Sequence, residues 1–165
     1  MLLCSFQGTA LPERLRCILR AGLRFGVPED KDFIMALEKD ALRNPWSEEA
    51  VSGLLSHDTK NGNSRKFAVI AEDAGYIGLS AVLDEAEVGN IVVAPSKRNK
   101  GIGRDLIEAA CEELKANGIT VLYLEVESGN APAVHLYEKM GFTVYNTRKD
   151  YYGQGFDALL MRKLL

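Results

Sequence analysis

APSKRNKGIGRDLIEAA (residues 94–110) joins two stretches of different hydrophobic period. Before it, "NIVV" reads as the end of a strand that stops at Ala94-Pro95. After it, Leu106, Ile107, Ala110, Cys111 and Leu114 recur at helical spacing, and the helix closes at Asn117-Gly118. The turn between them is expected to open the helix at about Gly103. There the first backbone N–H groups have no intrahelical partners, and the helix dipole turns its positive end into the loop. Glycines let a phosphate approach such a backbone without a Cβ in the way. Lys100 and Arg104 can add charge at the rim. The same two glycines also fit a plain strand-to-helix connection. A P-loop is excluded because no Gly-Lys-Ser/Thr follows. The three-glycine spacing of a dinucleotide fold is absent as well.

Working outward, "KFAVIAED", "GYIGLSAVLDE" and "AEVGNIVVAP" are strand-like runs separated by short turns, which predicts an antiparallel meander. "LRFGV" predicts an earlier strand ending at Pro28. Between it and the meander, Phe33, Ile34, Leu37 and Ala41 mark a helix that Asp32 can cap and Asn44-Pro45 ends. Ser47 then caps a second helix, with Trp46 and Val51 placed as a hydrophobic staple. A polar stretch with Asn61-Gly62 precedes the meander. Beyond the glycine turn, "ITVLYLEVE" is a strongly apolar strand of the kind buried in a sheet. Asn130 can cap a helix over "APAVHLYEKM", with Pro132 in its first turn and Gly141 past its end. "FTVYNTRKDYY" and "FDALLMRKLL" predict two closing strands around "GQG". The succession implies a mixed α/β sheet flanked by helices, without internal repeats.

A chain of 165 residues with 47% apolar content suits one domain with a sizeable core. The boundaries expected are an N-terminal extension over 1–21 and a single domain over 22–165. Within the extension, "LPERLRCILRAG" can form a short basic amphipathic helix with Leu15, Ile18 and Leu19 on one side, packed or frayed. A net charge of −3 with no gathered basic block argues against direct nucleic-acid binding. No apolar run is long enough to span a bilayer, so no membrane partner is expected. "MLLCSFQG" lacks the basic and apolar regions of a signal peptide. Cys4, Cys17 and Cys111 are odd in number and lack metal-type spacing, which suits reduced thiols in a cytoplasm, with Cys111 in the core. His57 and His135 read as surface residues, and no metal site is expected.

The glycine turn gains meaning from its surroundings. Arg98-x-x-Gly101-x-Gly103 resembles the Q/R-x-x-G-x-G/A acetyl-CoA signature of the GNAT N-acetyltransferase superfamily. "NPWSEE", "VLDEAEVGNIVVAP", "GIGRDLIE", "LYLEVESGNAPAVHLYEKMGF" and "RKDYY" resemble one branch in the same order, the bacterial ribosomal-protein alanine N-acetyltransferases. The resemblance runs from about Leu23 to the C-terminus. It implies the GNAT fold: a mixed, mostly antiparallel sheet whose fourth and fifth predicted strands splay apart around the pantetheine arm of acetyl-CoA. It further implies that Ile91, Val92 and Val93 contact that arm through their backbone. Arg98 belongs to the signature, Asn99, Lys100, Gly101, Ile102, Gly103 and Arg104 would hold the pyrophosphate, and Asn130 would contact the cofactor further along. The implied partner is the N-terminal peptide of a ribosomal protein, framed by the Trp46 loop and the "YYGQGFDA" hairpin. That hairpin is shorter than usual, Ala94 stands where an acidic residue is common, and Arg98 replaces a frequent glutamine.

Acetyl transfer from a thioester to an amine needs a neutral amine, a polarised carbonyl and a proton for the thiolate. An α-amine has a pKa of about 8, so a modest general base suffices near neutrality. Along "VLYLEVE", Val121, Tyr123, Glu125 and Glu127 share one face, and spacing alone leaves Glu125 readable as a solvated charge. Tyr137 reads from its helix as a packed amphipathic ring. The resemblance places Glu125 at the family's catalytic glutamate, relaying a proton through water, and Tyr137 at the tyrosine that protonates the thiolate. A backbone N–H near Val93, freed by the splay, can donate to the carbonyl oxygen. A relative acting on lysine or small amines, and a non-catalytic CoA-binding module, are the alternatives; keeping both Glu125 and Tyr137 disfavours the latter.

Overall fold

A computed structural model of the protein describes residues 18–20, 22–56 and 64–165. The expectations for residues 1–17, for Cys4, Cys17 and His57, and for the Asn61-Gly62 turn lie outside them. The elements are β1 (Ile18–Arg20), β2 (Leu23–Phe25), α1 (Lys31–Ala41), α2 (Glu48–Leu55), β3 (Ser64–Ala71), β4 (Gly75–Val82) and β5 (Glu85–Val93). They continue with α3 (Ile102–Ala116), β6 (Val121–Glu127), α4 (Ala131–Lys139), β7 (Thr143–Arg148) and β8 (Ala158–Leu164). The strands form one open sheet in the order β1-β2-β3-β4-β5-β6-β8-β7. Among the described residues, only β5 and β6 run parallel; every other neighbouring pair is antiparallel.

Two apolar clusters cover the two faces of the sheet. Leu106, Ile107, Ala110, Cys111 and Leu114 of α3 pack on Leu79, Ala86, Leu122, Leu124 and Met161. On the other face, Ile34 and Leu37 of α1 and Val51, Leu54 and Leu55 of α2 cover Ala68, Ile70, Tyr76 and Val92. The second face is covered only in part. Ser80, Glu85, Glu87, Tyr123 and Glu125 line an open groove there.

The helix and meander expectations hold, with local differences. Ser47 caps α2, its Oγ accepting from Ala50 N at 3.2 Å. The α1 helix begins at Lys31, and Asp32 does not cap it; Asp30 precedes the helix. The Asp30 carboxylate instead accepts both prongs of the Arg24 guanidinium at 2.7 Å and the Val27 N–H at 2.8 Å. Burial alone would raise this carboxyl; the Arg24 fork and the Val27 N–H overcome it and hold the group below the ordinary range. Ile18–Arg20, expected as part of a helix, is a strand paired antiparallel with Leu23–Phe25. The turn is made by Gly22 at φ 82°. A short segment gains more by satisfying the free edge of β2 than by nucleating a helix of its own. The closing strands are shorter than expected, because β7 stops at Arg148 and β8 starts at Ala158. Residues 149–157 form a loop tied by Asp150 N to Asp157 Oδ1 (2.9 Å) and Tyr152 N to Phe156 O (3.0 Å).

Candidate active site

The site begins where β5 leaves β6. Their register covers Glu85↔Val121, Ala86↔Leu122 and Glu87↔Tyr123, and they pair no further. From Val88 onward, the β5 edge that faced β6 therefore offers backbone donors and acceptors to another extended group. A bulge sits at the parting point. Gly78 pairs with Asn90 while Leu79 pairs with Val88, so Gly89 is the extra residue. Ala86 and Val88 point into the α3 cluster, as does Ile91, whereas Val92 points into the α1–α2 cluster. The bulge thus reverses the alternation and turns Asn90 toward α1, where its Nδ2 donates to Glu38 Oε1 at 2.8 Å.

Glu38 is fully buried and also accepts from the Tyr76 hydroxyl and from Trp46 N (2.7 Å). One carboxylate therefore ties together α1, the α1–α2 loop, β4 and the bulged part of β5. Burial, followed by the bond to Glu38, pushes the Tyr76 hydroxyl well up from its ordinary value, so it stays a donor. The Trp46 ring lies over the bulge: a Cβ on Gly89 would stand 2.6 Å from its Cη2. Trp46 is thus more than the staple partner of Val51, since it also walls the parting point of the strands.

The glycine turn follows β5. Asn99 (φ 61°) and Gly101 (φ 82°) are both left-handed, which curls the backbone ahead of α3. Gly101 is the N-cap, and the first bond of the helix runs from Asp105 N to Gly101 O at 3.0 Å. The helix therefore starts at Ile102, one residue before the expected Gly103, and its first-turn N–H groups face the loop. Gly103 also lies close against α4: a Cβ there would come within 3.2 Å of Leu136 Cδ2, a tight contact that the leucine side chain would have to ease. Arg98 Nε donates back to Val93 O at 3.2 Å, and Arg104 pairs with Asp105 at 3.1 Å, while Lys100 is exposed. Asn130 caps α4, its Oδ1 accepting from Ala133 N at 3.4 Å, which leaves its amide nitrogen for a ligand. Left-handed turn, unpaired N–H groups and basic rim together suit a pyrophosphate, and the free β5 edge suits the amides of a pantetheine arm.

Glu125 and Tyr137 are not in one cavity. Glu125 lines the groove of about 460 Å³ on the partly covered face, with Tyr123, Tyr145 and Arg148. Its Oε1 accepts from Arg148 Nη1 at 2.6 Å. Tyr137 is buried under α4, edge-on to Phe142 with ring centroids 5.8 Å apart. Burial, with the nearby Tyr152 adding to it, pushes the Tyr137 hydroxyl up to about 12, so it remains protonated at neutral pH. Tyr152 connects the two groups: its own hydroxyl is raised by burial and then by the charge of Glu125. His135 is exposed and Cys111 is buried, as expected. Among the described residues no cluster of three or more His, Cys, Asp or Glu could hold a metal ion. No helix among them is long and apolar enough to cross a membrane.

Arg148, Tyr152 and Glu38 were not singled out by the sequence reading. Glu38 had a signal, since it lies on the same helical stripe as Ile34, Leu37 and Ala41. The bulge had one too, a glycine inside a strand pattern. Arg148 and Tyr152 had only the block "RKDYY", which carries no period that ties it to Glu125.

A model of the acetyltransferase (GNAT) family matches residues 31–142. The chain belongs to this family. Its members transfer acetyl groups from acetyl-CoA, and the chain is accordingly an acetyltransferase. The ribosomal protein bS18-alanine N-acetyltransferase of Salmonella typhimurium is 37% identical over 130 residues, which span 76% of this chain and 84% of the relative. The Escherichia coli protein of the same name is 36% identical over 122 residues, 70% of this chain and 76% of the relative. The crystal structure of the E. coli ribosomal-protein-S18-alanine N-acetyltransferase superposes with a TM-score of 0.72 at 29% identity, covering 86% of this chain and 93% of that one. The Arabidopsis thaliana NAA60 structure in complex with acetyl-CoA shares the fold at a TM-score of 0.74 and 19% identity, covering 87% and 97%.

Proposed function

We propose that this protein acetylates the N-terminal α-amine of a ribosomal protein, one beginning with alanine, in the cytoplasm. The observation that carries this reading is the placement of Glu125. It combines a half-buried carboxylate in an open groove, next to the point where β5 and β6 part, with relatives named as bS18-alanine N-acetyltransferases over most of their length. Residues 22–165 would form the acetyltransferase domain, preceded by an extension over 1–21 whose Ile18–Arg20 adds the edge strand β1 to the domain's sheet. Acetyl-CoA would lie with its pyrophosphate on Asn99 to Arg104, following Arg98, its pantetheine arm along Ile91, Val92 and Val93, and Asn130 beside it.

In this reading the acceptor enters from the groove as an ammonium. Glu125 takes one proton from it through a water, and the nitrogen lone pair attacks the thioester carbonyl. A backbone N–H near Val93 steadies the carbonyl oxygen as it gains charge. The C–S bond then breaks, sulfur keeps its electron pair, and Tyr137 supplies the proton that makes the free thiol. Tyr137 recovers a proton from the second hydrogen lost by nitrogen. An acetylated amine, free CoA and one released proton result.

A panel of N-terminal peptides differing in their first residues, incubated with acetyl-CoA and mapped by mass spectrometry, tests the proposal. Acetyl on the α-amine of alanine-initiated peptides is expected. Acetyl only on lysine ε-amines or on small amines would replace it with one of those acceptors, whose pKa of about 10.4 for lysine asks more of the base. Binding of acetyl-CoA with no transfer to any amine would point to a non-catalytic module.

A further inference from the structure

We propose that Arg148 is a positioning residue for the base, coupling the 149–157 loop to Glu125; the inference rests on the reading of Glu125 given above. The geometry is specific. Arg148 is the last residue of β7, and its Nη1 donates to Glu125 Oε1 at 2.6 Å. The guanidinium also lies 5.4 Å from the centroid of the Tyr151 ring. That ring stands edge-on to Tyr152 at 5.0 Å. Glu125 is thus held by a residue whose other contact is the aromatic wall of the loop.

The contact supplies direction more than stability. The Arg148 side chain is 48% exposed and that of Glu125 24%, and a pair this open to water is worth little to folding. A charge-assisted bond to one oxygen nevertheless fixes a carboxylate that has three rotatable bonds behind it. With Oε1 engaged by Arg148, no protein donor among the described residues reaches Oε2, so Oε2 is the oxygen left to receive a proton. An acceptor that rests on Tyr151 and Tyr152 therefore meets a base already oriented by the same loop. The wall residue Tyr123 does not compete as a donor, since it turns its hydroxyl to Glu85 at 3.4 Å.

A double-mutant cycle on acetyl transfer to an α-amine peptide tests this. Arg148→Ala should lower kcat roughly ten- to a hundredfold, the scale of a mispositioned reacting group, with the KM for acetyl-CoA and the thermal midpoint unchanged. Arg148→Lys should recover only part of the loss, because a point cation lacks the planar fork, and added ethylguanidinium should restore part of the Arg148→Ala activity. In a Glu125→Ala background, Arg148→Ala should cost nothing further. Wild-type kcat in Arg148→Ala, or the same fold-loss with and without Glu125, overturns the role of Arg148 alone. Wild-type turnover in Glu125→Ala overturns the base and this role together.

Discussion

The two approaches to the parted strands are built in opposite ways. On the side of the glycine turn, most of the parts that suit a cofactor lie in one continuous stretch from Ile91 to Arg104, with Asn130 alone set apart. Val93, the left-handed Asn99 and Gly101, and the first turn of α3 follow one another along the chain. On the side of the groove, the parts come from everywhere. Glu125 is on β6, Arg148 ends β7, Tyr152 is in the loop, and Trp46 and Glu38 arrive from the α1 region. A backbone cradle can be local because helix ends and left-handed turns are local properties. An acceptor wall has to be assembled by the sheet.

That contrast is open to test, beginning with the largest effect. Glu125→Gln should cut turnover about 100-fold, and Tyr137→Phe should cut it less, while both leave acetyl-CoA affinity as it is. Isothermal titration with acetyl-CoA beside a thiol-release assay separates the two quantities. A loss of cofactor affinity in Glu125→Gln would erase the division between the sides.

The next effect concerns pH. Burial raises the Tyr137 hydroxyl to about 12, against about 10 for an unfolded tyrosine. Between those values the folded state keeps a proton that the unfolded state has lost, so stability falls as pH rises. It is intact below about 10 and the contribution is gone by about 12, a change on the order of 2–3 kcal/mol. Tyr76, raised by burial in the same direction, adds to the slope. Urea midpoints measured up the alkaline range should show the decline, and Tyr137→Phe should flatten it.

The smallest effect is on the cofactor side. Gly101 holds φ 82°, and alanine there should cost about 1 kcal/mol of stability from backbone strain. Its Cβ would meet only the mobile end of Arg104, at 3.3 Å, so the loss should stay local. Acetyl-CoA affinity should fall severalfold with kcat for the bound complex nearly kept. A fall in kcat with unchanged affinity would mean that the turn serves the chemistry instead.

Most of the fold was legible because its signals are periodic or punctual. The stripe from Leu106 to Leu114, the alternation in "VLYLEVE", the Ser47 and Asn130 caps and the glycines at 101 and 118 each act within a turn or a strand. The exceptions have a common cause. Ile18–Arg20 became a strand because β2 has an edge to fill, and Asp30 rather than Asp32 precedes α1, its carboxylate held by Arg24. Both depend on a partner that periodicity does not describe.

The candidate site divides along the same line. By itself the sequence determined the order of elements from β2 onward, the glycine turn ahead of α3 and, through its resemblance, the family, with Glu125 and Tyr137 as its candidate residues. These are matters of local backbone preference and of residue type at a motif position. Only the tertiary structure decided that the Gly89 bulge turns Asn90 onto Glu38, that Tyr137 is buried while Glu125 opens on a groove, and that Arg148 grips Glu125. Each of those is a contact between residues that are distant in sequence. Strand register and packing create such contacts, and no local pattern encodes them.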